Sequence, residues 1–96
     1  MQADEPKEIV VLPIEDTLDL HPFSPREVGE LLEDYLEAAH DKGFREVRII
    51  HGKGSGVLRQ RVHTILKKHP LVRALRPCDA SSGGWGATLV VLARDE

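Results

Sequence analysis

Ala87-Thr-Leu-Val-Val-Leu-Ala93 is nearly all apolar and carries no charge, which is the character of a strand covered on both edges inside a sheet. Three other strands are expected from the residues upstream. Thr17-Leu-Asp-Leu-His21 alternates apolar and polar side chains, so Leu18 and Leu20 point inward while Asp19 and His21 take the opposite face near the strand's end. Glu46 to Ile50 reads as a second strand, and Leu71 to Arg76 alternates apolar with basic residues as a half-exposed third strand does. Ser24, Pro25 and Glu27 form a helix-start signature, with Phe23 placed to staple onto Val28. Val28, Leu31, Leu32, Tyr35, Leu36 and Ala39 follow the spacing of one buried helical face, and Gly43 falls where a left-handed cap ends it, so the helix is expected over Pro25 to Lys42. A second helix is expected from Val57 to His69, with Leu58, Val62, Ile65 and Leu66 inward and Pro70 stopping it.

The order β-α-β-α-β-β restricts the topology. Two right-handed crossovers that leave both helices on one face must step the same way across the sheet. The apolar last strand then fits between the second and third, antiparallel to both. The expected architecture is an α/β two-layer sandwich with a mixed four-stranded sheet of order 1-2-4-3 and both helices on one face. Residues 1–15 read as an acidic N-terminal arm with a short edge strand at Ile9 to Leu12, stopped by Pro13, and residues 16–96 as the domain. This arrangement brings three motifs to one edge: Asp19 and His21, the His51 to Gly56 turn, and Gly83 to Thr88. Ligands of α/β sheets commonly bind near the carboxyl ends of the strands.

Ninety-six residues suffice for one core, and 41% hydrophobic with 30% charged residues is an ordinary globular composition. The single cysteine, Cys78, excludes an intramolecular disulfide and suits a reducing, cytoplasmic compartment; it is expected as a packing residue. The first eight residues lack the basic and apolar regions of a signal peptide, and the apolar runs are too short to span a bilayer, so no membrane role is expected. Charge is unevenly distributed. Residues 1–41 hold two basic against twelve acidic side chains, whereas residues 42–76 hold ten against one. That asymmetry fits an anionic partner for the middle segment, or a basic helix solvated opposite an acidic one.

Gly52-Lys-Gly-Ser-Gly56 matches neither the Walker P-loop nor the dinucleotide fingerprint, so no nucleotide cofactor is expected. Its glycines make a tight turn into a helix whose amides and dipole would face an anion beside Lys53. Asp19 and His21 are candidates for accepting a proton, holding a divalent metal with its water, or simply decorating a strand edge. Gly84, Trp85 and Gly86 offer close backbone approach and a flat ring for a base, or a buried anchor. His40, His63 and His69 lie on helices without matching partners and read as surface or interface residues.

Together, Leu18-Asp-Leu-His21, the His51 to Gly56 turn followed by Leu58-Arg59, and Gly83-Gly-Trp-Gly-Ala-Thr88 closely resemble the small MutS-related domain, Smr, over roughly residues 16–93. The resemblance implies a sandwich similar to the carboxy-terminal domain of bacterial translation initiation factor three and a nucleic-acid ligand; the absence of a larger fused protein departs from many relatives, so a stand-alone single-domain member of the family is expected. Some members nick DNA, others cleave RNA, and some only bind. Carried over by motif, Asp19 and His21 form the centre of cleavage, with His51 assisting. Gly52, Lys53, Gly54, Ser55 and Gly56 handle phosphate, and Arg59, Arg61, Gly84, Trp85 and Gly86 extend the binding surface. Mg²⁺ or Mn²⁺ is a candidate cofactor, held through Asp19 and His21. One departure is Pro22, where the family commonly has glycine. The expected function is an endonuclease acting on DNA or RNA; the alternatives are a non-catalytic module for structured or branched nucleic acid and a domain that binds an acidic protein partner.

Overall fold

A computed structural model describes residues 14–52, 56–78 and 86–93. The expected arm strand at Ile9 to Leu12 lies outside these residues. The elements are β1 (Thr17–Asp19), α1 (Val28–Asp41), β2 (Glu46–Ile50), α2 (Val57–Lys68), β3 (Val72–Pro77) and β4 (Ala87–Leu92). They form one mixed sheet in the order β1-β2-β4-β3. β1 is parallel to β2, and β4 runs antiparallel to both its neighbours. The apolar strand therefore occupies the interior position expected of it.

The sheet's pleat sorts the side chains. Val47 and Ile49 of β2 and Thr88, Val90 and Leu92 of β4 are buried, and Leu20, just past β1, is fully buried with them. Against them lie Val28, Leu32, Tyr35, Leu36 and Ala39 of α1 and Val62 and Leu66 of α2, in one core cluster. Full burial of such a side chain contributes about 1.5–3 kcal/mol. Leu31, expected in the α1 stripe, is instead 36% exposed at its margin. On the other face the register aligns Thr17, Arg48, Leu89 and Arg76 in one row across all four strands.

Element ends depart from the sequence reading where side chains compete for the backbone. α1 begins at Val28 and not Pro25, because Ser24 and Glu27 close a turn of their own. The Glu27 carboxylate accepts the Ser24 amide at 2.9 Å, and the Glu27 amide donates to the Ser24 carbonyl at 2.9 Å. Half of the capping box thus forms ahead of the helix. Phe23 stays 39% exposed and shares a shallow hollow with Arg26 and Leu31, while Val28 is fully buried. The C-terminal end of α1 is as expected: Gly43 takes φ +89°, its amide reaches His40, and the Phe44 amide reaches Ala39, the paired bonds of a Schellman cap. Cys78 is buried. No helix among the described residues is long and apolar enough to cross a membrane.

Candidate active site

The three motifs meet at one sheet edge through backbone contacts. The Leu20 amide extends the β1 ladder by donating to the Ile50 carbonyl at 2.7 Å. The amides of His51 and Gly52 both donate to the Gly86 carbonyl, at 2.8 and 2.9 Å. Gly52 takes φ +82°, and a Cβ added there would stand 3.4 Å from the His21 Cβ. The β1 end, the β2 end and the start of β4 are therefore one connected unit. Lys53, Gly54, Ser55, Gly84 and Trp85 lie outside the described residues.

Two polar groups occupy this edge, on opposite faces of the sheet. Asp19 pairs with Ile50 in register, on the face away from the helices. Its Oδ1 accepts the His21 amide at 3.0 Å and the His21 Nδ1 at 2.7 Å. A carboxylate can only accept, so Nδ1 carries the proton and Nε2 is the nitrogen left for a substrate or a metal. The bond to His21 holds the Asp19 carboxyl below its ordinary value, so it is ionised at neutral pH. Both side chains are open to solvent, 61% exposed for His21 and 48% for Asp19. The turn that follows spends its own amides. Phe23 donates to the Leu20 carbonyl at 2.9 Å, His21 is held by Asp19, and Pro22 has no amide to offer. An anion beside this pair must find its donors elsewhere.

The second group lies under α2. His51 is 3% exposed and Thr88 1%. His51 Nε2 is 2.9 Å from the Thr88 hydroxyl, and His63 Nε2 approaches the same oxygen at 2.8 Å. His51 Nδ1 is 3.1 Å from the Gly52 carbonyl. The two imidazoles meet edge to face, with ring centres 5.9 Å apart. Burial lowers both imidazole pKa values from the ordinary histidine value; at His51 the bond to the Gly52 carbonyl offsets part of this, and the Arg59 charge lowers both further. His63 is thus half-buried against the sheet, the interface placement of the two that its isolated position left open. Its signal in the sequence was its spacing of four from Arg59, beside the Val62 and Leu66 stripe. Thr88 was legible as a hydroxyl on the inward face of a buried strand, where it needs partners.

The arginines separate. Arg59 stands near His51 and His63, as its influence on both shows. Arg61 lies on another side of α2, where its guanidinium would be 3.6 Å from a Cβ on Gly29 of α1. The structure does not bring Arg61 to the Asp19 edge. Nor is the basic middle segment one patch: Lys67 and Lys68 sit in the last turn of α2, and Arg76 approaches Glu46 at 3.8 Å.

Comparison with known proteins converges on one family. The model of the Smr domain matches residues 18–93. Endonuclease MutS2 of Clostridium perfringens is 38% identical over 79 residues, covering 82% of this chain and 10% of the relative. Endonuclease MutS2 of Caldicellulosiruptor saccharolyticus is 48% identical over 61 residues, covering 64% of this chain and 8% of the relative. The chain therefore spans about a tenth of the length of these relatives. Among solved structures, the Smr domain of Thermus thermophilus MutS2 aligns with a TM-score of 0.77 at 31% identity, covering 80% of this chain and 96% of that one. YdaL, a stand-alone small MutS-related protein from Escherichia coli, aligns with a TM-score of 0.78 at 29% identity, covering 86% and 67%. With the motifs, the 1-2-4-3 sheet and the matched span in agreement, this chain belongs to the Smr domain family.

Proposed function

We propose that this domain binds nucleic acid at the edge shared by β1, β2 and β4 and cleaves phosphodiester bonds there, with Asp19 and His21 at the centre. The observation that carries the reading is the 2.7 Å bond from His21 Nδ1–H to Asp19, which leaves Nε2 as the open nitrogen beside the glycine turn. A neutral imidazole held in this way is a general base: Nε2 takes the proton of an attacking water or ribose hydroxyl, and Asp19 stabilises the imidazolium that forms. The oxygen attacks phosphorus, the bond to the leaving oxygen breaks, and that oxygen takes up a proton from the His21 imidazolium or from solvent water, which returns the site to its starting state. The remainder of the glycine turn, residues 53–56, would hold the phosphate, since the amides of His51 and Gly52 are already bonded to Gly86, and Arg59, near His51, would bind the nucleic-acid backbone beyond the reacting phosphate. That the matched relatives are named endonucleases supports the same reading.

The donor set at this edge also suits a hydrated Mg²⁺ or Mn²⁺. The described residues contain no cluster of three or more histidine, cysteine or acidic side chains able to hold an ion. The Asp19 carboxylate would be its protein ligand, with water and substrate phosphate completing the shell, while His21 Nε2, on the far side of its ring from Asp19, stays available as the base; the ion would supply charge stabilisation at the phosphate.

The test is incubation of the purified chain with supercoiled plasmid and with structured RNA, with and without Mg²⁺ or Mn²⁺, beside an Asp19→Ala, His21→Ala double variant. Cutting by the wild type alone is the expected result. Equal cutting by both proteins would overturn the assignment, and retained binding with no cutting by either would identify a binding module.

A further inference from the structure

Both ring nitrogens of His51 are committed inside the protein. Nδ1 faces the Gly52 carbonyl, which can only accept, so Nδ1 carries a proton. In the neutral ring Nε2 is then a bare lone pair, and the Thr88 hydroxyl is its donor. A hydroxyl has one hydrogen. With that hydrogen given to His51, the second imidazole at the same oxygen must donate, so His63 carries its proton on Nε2. The chain of bonds has one direction, from His63 through Thr88 to His51 and on to Gly52.

We infer that Thr88 and His63 are positioning residues that lock His51 in its Nδ1–H tautomer, and that His51 in turn orients the Gly52 peptide and the start of the glycine turn. His51 then touches no phosphate and transfers no proton to substrate. Its ring fastens the turn from below while Asp19 and His21 stand on the opposite face. The lock itself is a property of the free protein; its consequence for nucleic acid rests on the function proposed above. The surroundings favour this neutral state. Burial is the main force against a second proton on either ring; the Arg59 charge adds to it at both, His51 and Lys67 add to it at His63, and at His51 the bond to the Gly52 carbonyl offsets part of it.

The deciding experiment is a long-range ¹H–¹⁵N spectrum of the imidazoles in the full chain, which reports which nitrogen of each ring is protonated. Free histidine favours the Nε2–H form, so an Nδ1–H His51 beside an Nε2–H His63 is a diagnostic signature. Thr88→Ser should preserve it, and Thr88→Val, which leaves only the Gly52 carbonyl to hold the proton on Nδ1, should admit a minor Nε2–H form. Because Thr88 is buried, His63 gives a second route. His63→Gln keeps an amide donor for Thr88 and should retain the His51 tautomer, whereas His63→Phe should lose it. A wild-type His51 protonated on Nε2, or a His51 tautomer indifferent to both Thr88→Val and His63→Phe, would overturn the lock.

Fluorescence anisotropy with a labelled DNA or RNA hairpin reads the consequence. His63→Phe should weaken binding about fivefold, the scale of one net hydrogen bond, and His63→Gln less than about twofold. Equal affinities for the wild type and His63→Phe would show that the lock does not shape the binding turn. If the wild type binds neither hairpin, the nucleic-acid reading fails while the spectra still decide the lock.

Discussion

The two histidine groups at this sheet edge are built from similar parts and placed in opposite surroundings. His21 and Asp19 lie open to solvent on the helix-free face, in a pair that leaves one imidazole nitrogen facing outward. His51 and Thr88 are buried beneath α2, and His63 completes a set of bonds that uses both nitrogens of His51. An exposed pair contributes little to stability, because water competes for every bond it makes. A buried set is stabilising only while complete, since each group that loses its partner stays desolvated. Gly52 joins the two: its carbonyl meets His51, and its Cα side faces His21. One group leaves an imidazole nitrogen open to solvent, and the other spends both nitrogens of His51 inside the protein.

The largest effect that tests this contrast is that of Thr88→Val on stability. The substitution keeps the shape of the side chain and removes the hydroxyl on which two imidazoles converge. It should cost about 2–4 kcal/mol, from two nitrogens left without their partner. Urea unfolding measures it, and a loss below about 0.5 kcal/mol would mean that the buried set contributes no more than an exposed one.

Gly52→Ala should come second. At φ +82° an L side chain costs about 1–2 kcal/mol, and the new methyl group would meet the His21 Cβ at 3.4 Å. Gly43→Ala is the matched control, with φ +89° and nothing within 4 Å of its Cβ position. Any difference between the two losses, of either sign, measures the contact with His21 that couples the two groups, since 3.4 Å is near ordinary van der Waals separation. Equal losses would leave only the backbone effect.

Acid should separate the groups next. The folded-state pKa values of His51 and His63 are lowered, so the unfolded chain binds protons first as pH falls. Their contribution is fully present above the unfolded value near 6.5 and is lost as pH falls below it toward the lowered folded values. Denaturant midpoints measured from pH 7.5 down to pH 5 should therefore decline, and His63→Gln should make the decline shallower by removing one of the two groups. A slope unchanged by His63→Gln would place the acid sensitivity elsewhere.

Much of this layout could be read in the chain before any coordinates, because its signals are local or combinatorial. The apolar Ala87 to Leu92 run, the handedness of two crossovers and the glycine after α1 determine strand order and helix ends with few alternatives. Asp19 and His21 were visible because they alternate with Leu18 and Leu20. The buried set was harder to see. Its three members come from β2's end, α2 and β4, and the separation between His63 and Thr88 is 25 residues. No spacing rule links them. Charge counted along the chain left two readings open, an anionic partner or a solvated basic helix, because a count does not show direction: helix rotation sends Arg61 toward α1, away from Arg59. Sequence proximity on a helix is angular before it is linear.

The smallest stability effect belongs to Asp19→Asn, and it is the most informative about chemistry. Asparagine keeps an oxygen able to accept from the His21 amide and Nδ1, so the pair's geometry survives while its charge is lost. On an exposed side chain the cost in stability should stay within about 0.5 kcal/mol. Affinity for a polyanion should be unchanged or slightly tighter, because a negative charge has been removed from beside the phosphate. Cutting should fall steeply, since a neutral amide no longer stabilises the imidazolium formed when His21 Nε2 takes a proton. Unfolding curves, hairpin anisotropy and plasmid nicking on the same preparation distinguish these effects. A parallel loss of binding and cutting in a folded protein would make Asp19 an organiser of the glycine turn, joined to the buried set through Gly52. Unchanged cutting would remove its charge from the mechanism and leave His21 to act alone.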